Sequence, residues 1–388
     1  MPDGSEPLTI RVVARVDEIG ATDWDRCAGT SNPFVSHAFL STLEGSGSVK
    51  AKTGWQPQHL VLQDGAERVL GVMPLYLKSH SYGEYVFDHA WADAFERAGG
   101  QYYPKLLSAV SFTPVPGPRL LVRPDEDTET TRRALAAGMV ELARRHDVSS
   151  THVNFVDADQ ASTLAEMGFM IRHGHQFHWH NRGYGSFEEF LGDLASRKRK
   201  SIKKERRQIA ESGITIEALT GDAIRSVHWN AFYRFYIDTY DRKWGFPYLT
   251  RDFFDILAHR MADRVVLVMA SVDGHFIAGA LNLRGGDALF GRNWGSDVAY
   301  EFLHFEACYY QAIDFAIAHG LSRVEAGTQG EHKIQRGYLP VRTQSAHWFA
   351  DAGMAQAIDQ FLARRERSYE AAALEALARN SPFRQVED

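Results

Sequence analysis

Cysteine is nearly absent: Cys27 and Cys308 are the only two in 388 residues. Two thiols cannot build a disulfide framework or a cysteine-ligated zinc site, and such sparse usage fits the reducing cytoplasm, where the protein is expected. No window approaches the ~18 consecutive apolar residues that span a bilayer. Residues 1–9 are short, polar and acidic, the wrong chemistry for a signal peptide. Positive charge is not in excess either: 43 Lys and Arg face 49 Asp and Glu, for a net charge of −6, which argues against a general nucleic-acid coat protein but not against a local basic patch. Three signatures are also missing. There is no Gly-x-Ser-x-Gly elbow, no Gly-x-x-x-x-Gly-Lys-Ser/Thr loop and no His-Glu-x-x-His pair. The histidines at 89, 173–180 and 304 lack metal-ligand spacing, so no metal site is expected.

What is present reads as a globular α/β chain of mixed α+β character. Hydrophobic content of 44% and charged content of 24% are ordinary for such a protein, and the length suggests two domains. Strands are expected at 8–16, 59–63, 68–78, 152–156 and 176–180, with helical spacing at 36–44 and 128–145. A second run follows: a helix over 187–212, a strand at 214–219, helices at 222–240 and 251–262, and strands at 264–272, 276–284 and 288–293. A helix over 301–319, strands at 323–326 and 345–349, and a last helix over 354–379 complete the chain. In each half a β-hairpin turned by Asp-Gly (64–65, 273–274) precedes a helix and then a strand. One unit used twice is the expectation, with domains at 8–178 and 179–388.

The richest stretch is 325–338, Glu-Ala-Gly-Thr-Gln-Gly-Glu-His-Lys-Ile-Gln-Arg-Gly-Tyr. An apolar strand breaks at Gly327 and Gly330 and then presents His332, Lys333 and Arg336. Backbone without Cβ can approach a ligand closely, and cations placed there can hold an anion or a developing oxyanion. The other reading is a strand-to-loop turn with solvated charges. Residues 197–207 carry eight Lys or Arg in eleven positions, offset only by Glu205. Projected as a helix, Leu194, Ile202 and Ile209 lie within about 80° of one another and most cations lie opposite, with Lys198 intruding. Such a face either sits in solvent or binds an anionic ligand, nucleotide phosphates and an RNA backbone both serving. The aromatic and polar stretch from Lys78 through Trp91 to Lys105 is too polar for a core strand and too aromatic for a linker. It reads as a binding-cleft wall carrying Glu84, Asp88, Tyr103 and Lys105, or as a packed loop. On the 301–319 helix, Glu306 shares an apolar stripe with Phe302, Tyr309 and Ile313, so it either pairs with a cation or acts as a base. Arg292 and Trp294, in Gly291-Arg-Asn-Trp-Gly, and the 240–245 segment add further cations and aromatics.

These segments resemble the FemAB-like peptidoglycan biosynthesis/recognition family of the Gcn5-related (GNAT) acyltransferase superfamily. The resemblance rests on Gly71-Val-Met-Pro-Leu-Tyr-Leu-Lys, Tyr102-Tyr-Pro-Lys-Leu, Lys198-Arg-Lys-Ser-Ile-Lys-Lys-Glu-Arg, Leu303-His-Phe-Glu-Ala-Cys-Tyr-Tyr-Gln and Gly327-Thr-Gln-Gly-Glu-His-Lys-Ile-Gln-Arg-Gly-Tyr-Leu-Pro, which together span nearly the whole chain. It implies two tandem GNAT-like (acyl-CoA N-acyltransferase-like) domains, each a mixed β-sheet flanked by helices. It also implies aminoacyl transfer from aminoacyl-tRNA onto the amine of a cell-wall precursor. Lys333 matches the lysine that the Fem ligases place beside the tetrahedral centre, with His332 where those ligases carry an aromatic. Arg199, Lys203 and Lys204 match the basic-helix contacts to anionic substrate. No long helical-hairpin insertion is present, and Trp294-Gly-Ser-Asp-Val-Ala-Tyr stands where ordinary GNAT enzymes carry their coenzyme A signature, so the donor is open between aminoacyl-tRNA and acetyl-CoA.

The expected protein is therefore an N-acyltransferase with no permanently bound cofactor, a small-molecule or peptide amine as acceptor, and its cleft between the two domains. Lys333 and a backbone N–H near Gly330 would stabilise the oxyanion, and Glu306 or Glu325 would accept the amine proton. Arg197, Lys200, Lys203, Arg292 and Arg336 would hold phosphate-bearing portions of the substrates. A non-catalytic module binding a cell-wall or nucleotide-linked ligand is the alternative. Oligomeric state is open.

Overall fold

The computed structural model describes residues 8–242, 245–327, 330–365 and 371–384. The chain divides into two compact units, one formed by residues 1–174 and 343–371, the other by 175–342 and 372–388. The sequence boundary near 178 assigns everything after it to the second unit, yet the chain returns to the first. The reason is strand pairing and apolar burial. Residues 344–349 pair antiparallel with Ser150–Val156, and Met354, Ile358 and Leu362 of the helix Ala352–Arg365 pack on Trp91, Tyr102 and Phe349.

In the first unit, Thr9–Val13, His59–Gln63, Val69–Met73 and Leu121–Val122 form an antiparallel sheet. A mixed sheet contains Trp55–Pro57, Tyr76–Lys78, Lys105–Ser108, Ser150–Val156 and the 343–349 strand, with only Lys105–Ser108 and Ser150–Val156 parallel. The helix Thr128–Arg145 begins where the Asp127 side chain accepts from Thr130 N. Its Leu135 and Met139 enter a core with Leu60, Leu62, Leu106 and Val153. Stripes at helical spacing meeting strands at period two account for that core. The stretch 79–118, irregular by sequence, holds the helix His89–Arg97 and the strand Lys105–Ser108.

In the second unit, Thr215–Thr220, Val265–Val272, His275–Arg284 and Ala288–Ser296 form an antiparallel meander. The tight turn at Asp273 (φ 49°) and Gly274 (φ 77°) has positive φ at both central residues, as the right-handed twist of a two-residue hairpin demands. Ala288–Ser296 then pairs in parallel with Arg323–Glu325, which pairs with 178–180 on its other side. A helical crossover at 303–318 connects the parallel pair. Gly295 sits against the helix Ser226–Arg242: a Cβ there would lie 2.4 Å from the Phe235 carbonyl oxygen, so only glycine allows the approach.

Two long helices expected from the sequence are each two. The 187–212 run breaks into Phe187–Asp193 and Ser196–Glu211, because the C-terminal segment inserts its own pairing at the joint: Ala195 N donates to Pro382 O at 2.8 Å and Leu194 bridges Phe383. The 354–379 run is helical over Ala352–Arg365 and Ala371–Arg379, and 366–370 lie outside the described residues. The 301–319 helix is helical from Leu303 to Ala318, but Glu306–Tyr310 widens into a π-helical turn, a feature that recurs at functional sites. Among the described residues no helix is long and apolar enough to cross a membrane.

Candidate active site

The parallel pair of the second unit holds register for three residues, from Ala288 with Arg323 to Phe290 with Glu325. Beyond them no further register pairs join the strands, and a cavity opens. Gly291, Arg292, Asn293 and Trp294 line one wall, Ala326 the other, and His304, Cys308 and Tyr309 of the crossover helix cover it. The geometry is that of a strand pair ending at a ligand crevice.

Lys333 adjoins this cavity. The 3₁₀ turn Glu331–Arg336 brings it back beneath the strand end, where its Nζ donates to the main-chain oxygen of Ala326, a lining residue, and lies 3.5 Å from that of Gly327. Burial pushes its pKa down to about 8, with Cys308 opposing slightly. Among the described residues Lys333 makes no ion pair, and an ammonium has three donors. Two carbonyls therefore hold it in place and leave one N–H for a substrate oxygen. His332, next in sequence, has its Nε2 3.0 Å from the Tyr309 hydroxyl. Partial desolvation lowers its pKa although the residue is exposed, aided by Arg336 and Lys333, and in the Nδ1–H tautomer the neutral ring accepts from the phenol.

The two carboxylates expected to act as bases are both engaged. Arg206 holds Glu306 through Nε (3.2 Å) and Nη2 (3.0 Å), and Gln311 adds a third hydrogen bond. Glu325 accepts from Arg323 Nε at 2.9 Å, with His178 3.8 Å away. Arg336, expected to hold phosphate, is buried instead, its Nη2 donating to both carboxylate oxygens of Glu205 at 3.1 and 3.0 Å and its guanidinium 3.3 Å above the Phe305 ring. Glu205 also accepts from the Tyr310 hydroxyl. The one acid of the basic run thus faces inward and fixes the helix to the turn that carries Lys333. Sequence distance hid this pairing.

The basic helix itself divides by partner. Lys203 pairs with Glu188, Arg206 with Glu306 and Asp314, and Lys198 donates to Gln335. Arg197, Arg199, Lys200, Lys204 and Arg207 have no partner among the described residues. Four of these, at 197, 200, 204 and 207, fall within about 80° of one another and run about 15 Å along the helix.

The expected cleft wall of the first unit is a buried ion cluster. Lys105 Nζ contacts Glu84 Oε2 and Ser81 Oγ, both at 2.8 Å, and also Asp88, which accepts from the Tyr102 hydroxyl. The Tyr103 hydroxyl meets Ser81 at 2.8 Å. Lys105, Glu84 and Asp88 are 0%, 3% and 3% exposed, so they line no open surface. Lys78 completes the cluster 3.8 Å from Glu84 and 3.7 Å above the Trp55 ring.

Of the expected residues, Arg292 and Trp294 line the cavity, while Lys333 and His332 adjoin it through Ala326 and Tyr309. Sequence reasoning missed Asn293, His304, Cys308 and Tyr309. The signal for His304, Cys308 and Tyr309 was a polar and aromatic density inside an otherwise apolar helix, but the π turn that holds Cys308 and Tyr309 is not visible in periodicity. Thr328 and Gln329 of the glycine-rich stretch, and Lys243 and Trp244 of the 240–245 cluster, lie outside the described residues.

A family model described as FemAB-like, peptidoglycan biosynthesis/recognition, matches residues 15–385. No protein of curated function matches the sequence. Among solved structures, FemX superposes with a TM-score of 0.56 at 13% identity, covering 88% of this chain and 98% of that one. The C-terminal domain of a putative lysylphosphatidylglycerol synthetase from Agrobacterium fabrum gives 0.53 at 10% identity, covering 89% and 96%. L-PGS from Bacillus licheniformis gives 0.51 at 9% identity, covering 92% and 98%. Identities this low speak to fold alone, a mixed α/β chain whose sheets are flanked by helices.

Proposed function

The chain belongs to the FemAB-like family, and on that premise we propose that it is a cytoplasmic transferase that joins an activated acyl or aminoacyl group to an amine, the acceptor being a cell-wall precursor peptide. The observation that carries this reading is the state of Lys333. Among the described residues its ammonium is buried, held by two main-chain oxygens at a strand end with no carboxylate against it, beside a cavity. A structural lysine in that position would be paired, since burying an uncompensated charge costs several kcal/mol. An ammonium held this way is preorganised for negative charge that develops only in the transition state.

The amine would attack the donor carbonyl inside the cavity, and Lys333 would donate its remaining N–H to the resulting oxyanion. Arg292 and Trp294 would border the donor at the cavity wall. The row Arg197, Lys200, Lys204 and Arg207 favours a donor with many phosphates, which supports aminoacyl-tRNA over coenzyme A. Lys333→Ala is expected to lower turnover by roughly 10²-fold or more, the scale of losing one oxyanion donor. Mass spectrometry of reactions offered charged tRNA or coenzyme A thioesters with a panel of amines is the test. Undiminished product from that variant removes Lys333 from the mechanism, and product from thioesters alone assigns the other donor.

A further inference from the structure

An amine that attacks a carbonyl must lose a proton, and both nearby carboxylates proposed for that task are held by arginines. The cavity offers another acceptor. We propose that Tyr309 and His332 form the proton relay of this site, the phenol touching substrate and the imidazole storing the proton. This rests on the transferase reading above.

Three observations carry it. Tyr309 lines the cavity, and its hydroxyl lies 3.0 Å from His332 Nε2. The Tyr309 ring is clamped on several sides: Phe305 stacks on it at 6.1 Å between centroids, His304 and Tyr338 approach edge-on at 5.3 and 5.4 Å, and the Tyr338 hydroxyl donates to Tyr309 O. His332 is seated by Gly330, where a Cβ would lie 2.4 Å from His332 Cε1 and where φ is +105°. Glycine at 330 therefore makes room for this ring. The groups facing His332 are Tyr309, the Arg336 and Lys333 cations, and His304, whose ring is 6.3 Å away. The two cations and partial desolvation keep the exposed imidazole neutral, and its Nδ1–H tautomer accepts at Nε2, while burial keeps the phenol protonated and able to donate.

The step balances without any other reactant. The amine nitrogen forms a bond to the carbonyl carbon, whose π electrons move to oxygen beside Lys333. The surplus proton on nitrogen passes to the Tyr309 oxygen as Tyr309 passes its own to His332 Nε2. On collapse the C=O bond re-forms and the bond to the leaving sulfur or ribose oxygen breaks. The imidazolium then returns its proton through Tyr309 to that leaving atom, which restores the neutral pair.

The test uses Tyr309→Phe and His332→Phe in the full chain, with whichever donor the wild type turns over. Each variant is expected to lose about 10²-fold or more in kcat with KM for the amine little changed, the scale of general base catalysis. The double variant is expected to be no slower than either single one, since the two act as a unit. The acid limb of the wild-type kcat/KM profile should vanish in His332→Phe, which a purely packing role for His332 would not produce. In the folded wild type, histidine NMR should show His332 titrating below the ordinary imidazole range. Full turnover in Tyr309→Phe, an unchanged acid limb in His332→Phe, or a His332 protonated at neutral pH overturns the relay; if Lys333→Ala is still impaired, the transferase reading stands. Absence of product from the wild type with every donor removes both.

Discussion

Each unit carries one parallel strand pair with a buried lysine beside it, and the two lysines are treated differently. Lys105 opens the strand Lys105–Ser108 and is surrounded by Glu84, Asp88 and Ser81. Burial opposes its charge, but the two carboxylates outweigh that and hold its pKa above the ordinary lysine value. Lys333 follows the strand Arg323–Glu325 and, among the described residues, meets main-chain carbonyls and the Phe177 ring but no carboxylate, so burial wins and its pKa falls to about 8. A buried ammonium with matched carboxylates is locked, and one held by dipoles alone still has affinity for a further anion. The comparison separates the structural lysine from the one available for chemistry.

The largest effect that tests this contrast is expected at the locked site. Lys105→Met should destabilise the first unit by roughly 3–5 kcal/mol, because Glu84 and Asp88 would stay buried without their cation. Differential scanning calorimetry reads this loss, and a wild-type transition would show that the cluster contributes nothing to stability. Lys333→Met removes a buried charge, so the unfolding transition should fall no lower than wild type while turnover falls, the reverse pattern.

The two sites should also respond to pH with opposite signs. The folded pKa of Lys333, about 8, lies below its unfolded value near 10.5, so the unfolded chain binds more protons between them. Its contribution to stability should rise as pH climbs through that window. The oxyanion role proposed for it requires the ammonium, so turnover should fall over the same range. Lys105 has the higher folded value, and the stability it contributes is present below its unfolded pKa and is lost as pH rises through the folded one. Urea unfolding and rate profiles from pH 7 to pH 10 should therefore diverge, and parallel curves would contradict the assignment.

The smallest effects concern the basic helix. Lys203→Ala breaks an exposed pair with Glu188 and should cost less than about 0.5 kcal/mol. Lys200→Ala and Lys204→Ala should leave stability unchanged but flatten the salt dependence of tRNA binding, each by about one phosphate's share of the slope. A slope identical to wild type would place the polyanion elsewhere.

Much of this was legible in the chain. The helix Thr128–Arg145 follows its apolar spacing to the residue, and the Asp273-Gly274 hairpin follows from turn chemistry. The family resemblance singles out Lys333 and the basic helix as candidates. Other features were not legible. Glu205 read as a lone offset within a cationic surface, yet it faces inward to Arg336, 131 positions away. The helix break at Leu194 and Ala195 depends on Pro382 and Phe383, which no local window contains.

By itself the sequence determined the periodic elements, the glycines at 327 and 330, and the density of cations at 197–207, because these follow from backbone preferences and spacing along a single segment. Only the tertiary structure decided which of those charges meet a partner, which are buried, and that Tyr309 reaches His332. An ion pair's worth depends on distance and dielectric, and both are set by segments far apart in the chain that come together only on folding.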